Sequence, residues 1–127
     1  MATKVFISFD FDNDKTLKEF LVGQAKNDDS PFEISDSSIS VATPDWRTVA
    51  ERRIRACDVV AVICGKSTNT ASGVSEEIEL ARDNKRAYFL LAGYADGGNV
   101  KPLAVNASDK MYKWTWDNLK ELIGGAR

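Results

Sequence analysis

Any chemistry in this chain rests on carboxylates, hydroxyls, thiols, Lys or Arg, because its 127 residues include no histidine. Without imidazole, Ser-His-Asp and Cys-His catalysis, His-ligated zinc and the usual near-neutral proton shuttle are excluded. Among the acids, one group stands out by its spacing. The pattern from Gly73 to Asn84 predicts a helix carrying Glu76, Glu77 and Glu79. At about 100° per residue, Val74, Ile78 and Ala81 form a core stripe with Leu80 at its flank. Glu76 and Glu79 fall on the opposite, wet side. Glu77 falls between Leu80 and Ala81, on the buried side and in the first turn. An acid at a helix start is favoured by the macrodipole, by about 0.3–1 kcal/mol, which accounts for Glu76. It accounts poorly for Glu77, since a carboxylate turned toward apolar surface loses hydration unless something polar meets it. Glu77 is therefore a candidate functional residue, with a helix-start acid as the plain structural alternative.

The elements around it follow from periodicity. Val5-Phe6-Ile7-Ser8-Phe9 reads as a first strand buried on both faces. After the turn formers Asp10 to Asp14, with Asn13 or Asp14 as cap, Leu17, Phe20 and Leu21 recur at helical spacing through about Ala25. Phe32-Glu33-Ile34 is a short second strand, followed by a polar loop from Asp36 to Thr43. Thr43-Pro44 reads as a helix start, with Trp46, Val49, Ala50, Ile54 and Cys57 on one face. Asp58 to Cys64 is the clearest strand, and Gly65 to Ser72 a second polar loop. Beyond the Glu77 helix come a fourth strand, Ala87 to Ala92, and an irregular stretch, Gly93 to Asp109, with room for a short fifth. Thr115 caps a last helix with Leu119, Leu122 and Ile123 inward, stopped by Gly124-Gly125. Strict alternation of strand and helix predicts an α/β fold, a parallel sheet with helices on both faces. Ligands of such sheets bind at the carboxyl ends of the strands, where the polar loops converge.

Composition bounds the rest. The length fits one domain, residues 1–127, and 43% hydrophobic content allows a compact core. A net charge of −2 leaves no basic surplus to neutralise phosphates, so no nucleic-acid partner is expected. The longest apolar run, Val59 to Cys64, is far short of the ~20 residues that span a bilayer. No membrane partner and no signal peptide are expected, nor any metal. Cys57 and Cys64 sit in apolar surroundings and read as reduced structural thiols of a cytoplasmic protein.

Three separated motifs, in order, resemble those of TIR (Toll/interleukin-receptor) domains. Lys4-Val5-Phe6-Ile7-Ser8-Phe9-Asp10 looks like their first-strand box, and Cys57 to Ile63 like their third-strand box. Ser72-Gly73-Val74-Ser75-Glu76-Glu77-Ile78 matches their third-helix motif, which aligns the catalytic glutamate with Glu77. The stretches Thr70 to Val74 and Met111 to Leu119 resemble, more closely, the TIR-like proteins of bacterial Thoeris antiphage systems.

The resemblance implies a flavodoxin-like sheet and cleavage of the nicotinamide–ribose bond of NAD as substrate, with no further cofactor. It also implies release of an ADP-ribose-derived signal, cyclic or conjugated, that reaches a separate effector by diffusion, and self-association or association with other TIR-like subunits. Ser8, Phe9 and Asp10 leave the first strand at the expected site; by resemblance Phe9 lies against nicotinamide and Asp10 bonds substrate. Asp36, Ser37 and Ser38 belong to the loop that borders the site in TIR domains. Trp46 is either core or pocket wall. Many TIR enzymes have tryptophan where this chain has Gly73, so an aromatic wall is missing unless Trp46 replaces it. The chemistry suits the residues: nicotinamide leaves NAD neutral, so no general acid is needed, and one carboxylate stabilises the positive charge growing on the ribose. A non-catalytic TIR interaction module and a nucleoside deoxyribosyltransferase-like enzyme are the alternatives. A phosphate-accepting receiver fits badly, since Cys64 stands where its third strand would end in aspartate.

Overall fold

The computed structural model describes residues 2–125. Five strands, β1 (Thr3–Ser8), β2 (Phe32–Ser37), β3 (Val59–Cys64), β4 (Ala87–Ala92) and β5 (Met111–Lys113), form one sheet in the order β2-β1-β3-β4-β5. All four pairings are parallel, and helices α1 (Lys15–Ala25), α2 (Trp46–Arg55), α3 (Ser72–Asp83) and α4 (Trp116–Ile123) connect or follow them. The fold is α/β and flavodoxin-like, with the order reversing between β1 and β3, where open sheets of this kind bind ligands. No helix among the described residues is long and apolar enough to cross a membrane.

Side chains alternate across a strand with period two, and this parity divides the core. Val5, Ile7, Phe9, Val59, Ala61, Ile63, Phe89 and Leu91 join Leu17 and Leu21 of α1 and Leu119, Leu122 and Ile123 of α4 on one face. Phe6, Val60, Val62, Cys64 and Leu90 join Trp46, Ala50 and Ile54 of α2 and Val74, Ile78, Leu80 and Ala81 of α3 on the other. All six residues of β3 are buried, as a run apolar on both faces requires. By the same parity Ser8 turns to the α2/α3 face. That places a hydroxyl opposite the helix that carries Glu77.

Several boundaries differ from the sequence expectation, each for a structural reason. β2 runs three residues further than Phe32-Glu33-Ile34, so Asp36 and Ser37 are strand, not loop. Its register shifts by one: Val5 pairs with Ile34, but Phe6 pairs with Asp36, which leaves Ser35 as a bulge. Helix α2 begins at Trp46 and not at Pro44, because Trp46 N–H donates to Thr43 O at 3.1 Å and Asp45 adopts a left-handed backbone, φ 56°. Pro44 thus belongs to a turn. Phe20 is 63% exposed and lies off the buried Leu17 and Leu21 stripe. The fifth strand follows the irregular stretch and does not lie inside it. Asp14 occupies the N-cap position of α1, yet its carboxylate accepts the Tyr94 hydroxyl at 3.1 Å and caps no helix N–H. Thr115 does cap α4, accepting Asn118 N–H at 3.1 Å.

Candidate functional site

Glu77 is 1% exposed and lies on the buried face of α3 with Val74, Ile78, Leu80 and Ala81, whereas Glu79 is exposed and Glu76 half exposed. What meets the buried carboxylate is a pair of hydroxyls. Ser8 Oγ donates to Glu77 Oε1 at 2.8 Å, and Ser38 Oγ donates to the same oxygen at 2.6 Å. The β2 bulge makes this convergence possible. With the register advanced by one, Ile7 pairs with Ser37, and Ser38 N–H donates to Ile7 O at 2.9 Å, bringing Ser38 alongside Ser8. Ser38 Oγ also accepts Phe9 N–H at 3.1 Å, which locks the end of β1 to the end of β2.

The second carboxylate oxygen, Oε2, is buried without a hydrogen-bond partner. Burial is the main influence on this group and pushes its pKa up from 4.5 to about 7; the Ser38 and Ser8 hydroxyls oppose the rise, and neighbouring Glu76 adds to it. Glu77 is therefore poised to change charge near neutrality, a common property of functional carboxylates.

Glu77 lines a cavity of about 210 Å³ at the carboxyl edge of the sheet. Phe9 and the 10–13 turn form one wall, and Ser38 to Val41 with Trp46 another. The Thr70 to Val74 segment at the start of α3 completes it. Asp10 and Asp12 join Glu77 in the lining, and no Lys or Arg does among the described residues. Lys15 sits over the ring of Phe11, one of the lining residues, at 4.3 Å. A larger cavity of about 640 Å³ lies against α1 and the ends of β4 and β5, but its walls of Leu17, Phe20, Tyr94, Met111 and Trp114 include no carboxylate among the described residues.

Of the expected site residues, Glu77, Phe9, Asp10, Ser38 and Trp46 come together around the smaller cavity. Ser8 stands behind Glu77, fully buried and outside the lining. Asp10 has both oxygens engaged by its own turn, accepting Asp12 N–H at 3.2 Å and Asn13 Nδ2 at 2.8 Å. Asp36 does not line the cavity. The bulge turns it toward α2, where Arg53 binds it at 2.7 Å. Because both partners are partly exposed, Asp36→Asn is expected to cost no more than about 1 kcal/mol and to leave any activity within about twofold; a larger loss in a steady-state assay would return Asp36 to the site.

Trp46 is both core and wall: 7% exposed, packed in the α2/α3 core, and tied by Nε1 to Ile39 O at 3.3 Å. A Cβ on Gly73 would lie 3.6 Å from the Trp46 ring and 2.9 Å from Val41 Cγ1. The space beside residue 73 is thus filled by Trp46 and by the exposed Val41, which reaches across the cavity rim. Sequence reasoning missed Phe11 and Val41 as lining, since they lie in turns whose course periodicity does not report, and Ser72, the first residue of α3. The hydroxyls after β3 close turns: Thr68 accepts Gly65 N–H at 2.7 Å and Thr70 donates to Ser67 O at 2.9 Å.

The thiols offer no alternative nucleophile. Cys57 and Cys64 are free and buried, and burial pushes them up to about 11 and about 12, so neither supplies thiolate near neutrality. No group of three or more His, Cys, Asp or Glu is placed to hold a metal ion among the described residues. No protein-family model matches the chain, and no curated protein does.

Proposed function

We propose that the chain is a TIR-like NAD glycohydrolase or cyclase whose reacting carboxylate is Glu77. One observation carries this reading: a buried carboxylate at a cavity, one oxygen held by two hydroxyls and the other without a partner. In NAD the nicotinamide ring already bears positive charge. As its bond to ribose lengthens, that charge moves to the ribose and nicotinamide departs neutral, needing no proton. Glu77, ionised, lies against the developing cation and stabilises it in surroundings where water does not screen the attraction. Its free oxygen also accepts ribose hydroxyls. Phe9, Phe11 and Trp46 supply apolar surface for the ring, and Asp10 and Asp12 favour a cationic over an anionic guest.

A volume of about 210 Å³ is smaller than the ~300–1,000 Å³ typical of sites that enclose a whole drug-sized ligand. The nicotinamide and its ribose enter, while the remainder of the dinucleotide stays outside and free to react. Attack on the ribose cation by water gives ADP-ribose. Attack by a nucleophile of the same or another molecule gives a cyclic or conjugated product, the form suited to a diffusible signal in antiphage defence.

Mass spectrometry of the protein incubated in parallel with NAD and with a purine deoxynucleoside tests the reading. Free nicotinamide and an ADP-ribose-derived product are the expected result. Base release from the deoxynucleoside with NAD left intact would replace it with a deoxyribosyltransferase-like activity.

A further inference from the structure

Both hydrogen bonds to Glu77 fall on one oxygen. Ser8 reaches Oε1 from the end of β1 at 2.8 Å, and Ser38 reaches it from just beyond β2 at 2.6 Å, leaving Oε2 buried and without a partner. A carboxylate attached only through its own side chain is free to turn. One held by two donors from different strands is not. We propose that Ser8 and Ser38 are positioning residues that clamp Oε1, so that Oε2, buried and without a partner in the substrate-free chain, is the oxygen left to meet the substrate sugar once it enters the cavity. The inference rests on the reading of Glu77 as the reacting carboxylate.

Three features of the clamp support this role over direct contact with substrate. Each hydroxyl has one proton: that of Ser8 goes to Glu77, and that of Ser38 has Glu77 Oε1 at 2.6 Å against the Ile7 carbonyl at 3.4 Å, so the charged, nearer acceptor takes it. Ser8 is fully buried and outside the cavity lining, so its hydroxyl meets ligand only through Glu77. Ser38 is further fixed by accepting Phe9 N–H at 3.1 Å, so the clamp is part of the β1–β2 junction. Two O–H donors favour the charged form of the acid, against the burial that disfavours it. The pair therefore sets orientation and charge together.

The test is a carboxyl titration by NMR on protein carrying ¹³C-labelled glutamate, paired with the pH–rate profile for nicotinamide release. Ser8→Ala and Ser38→Ala each remove one donor to the ionised form, so the Glu77 midpoint is expected to rise by about one to two pH units. The rising limb of the rate profile moves alkaline by the same amount, and the high-pH plateau falls with it, because the ionised carboxylate is then held by one donor instead of two. Ser38→Thr keeps the hydroxyl and restores the midpoint. Ser38→Ala also strips Phe9 N–H of its acceptor, so Ser8→Ala is the cleaner variant. An unmoved midpoint in both alanine variants overturns the clamp, as does a lowered plateau with no shift, the signature of lost substrate contact. The titration needs no turnover: a shifted midpoint in a protein that leaves NAD intact upholds the clamp and defeats the glycosidase reading.

Discussion

Glu77→Gln is expected to lower nicotinamide release from NAD by at least about a hundredfold, the scale set by loss of one preorganised electrostatic group. The substitution is nearly isosteric, and the amide oxygen still accepts the Ser8 and Ser38 hydroxyls that reach Oε1 in the parent. What disappears is the negative charge beside the ribose. Glu76→Ala and Glu79→Ala serve as controls, since one side chain is half exposed and the other exposed. They are expected to retain parental turnover within about twofold, because exposed charges act through screened, high-dielectric surroundings. In the parent the rate rises as pH increases through about 7, where Glu77 ionises, and then levels. Steady-state assays across pH 5 to 9 measure both effects. Equal turnover by Glu77→Gln and the parent would remove Glu77 from the reaction.

The same variant is expected to be stabilised relative to the parent, and only on the alkaline side. Burial raises the Glu77 carboxyl from 4.5 to about 7 in the folded chain, whereas the unfolded chain keeps the ordinary value. Between those two values the unfolded state releases its proton and the folded state retains it, so unfolding becomes easier as pH rises, and the loss is complete above about 7. At about 1.4 kcal/mol per unit, the shift amounts to about 3 kcal/mol, a large share of the 5–15 kcal/mol typical of a domain. Glutamine does not titrate. Urea unfolding at pH 4 and pH 8 is therefore expected to show the stability gap between variant and parent widening by about 3 kcal/mol in favour of glutamine. A gap independent of pH would mean that the folded chain hydrates Glu77. Paired with the activity loss, a widening gap would identify the carboxylate as a group held at the expense of stability, as functional sites often are.

Glu77 could be found without coordinates because helical periodicity is a local property. Position 77 lies within the arc of Val74, Ile78 and Ala81 whatever the rest of the chain does, and an acid in that arc is conspicuous. The alternation of strands and helices, the apolar run of β3 and the cap at Thr115 are local in the same sense, and they suffice for a parallel α/β sheet. The partners of Glu77 are of another kind. Ser37 and Ser38 are neighbours of one residue type, and which of them stands beside Ser8 depends on the single-residue bulge at Ser35. The bulge also sends Asp36 to Arg53 and away from the cavity. Nothing in the local pattern announces it, because register is set by how two strands 29 or 30 residues apart fit together. The filling of the space at Gly73 by Trp46 and Val41 is likewise a matter of packing between segments remote in the chain. The amino-acid order, through short-range periodicity, determined the elements and which acid is out of place; long-range pairing and packing decided what surrounds that acid, how far its proton affinity rises and which of its oxygens is left free.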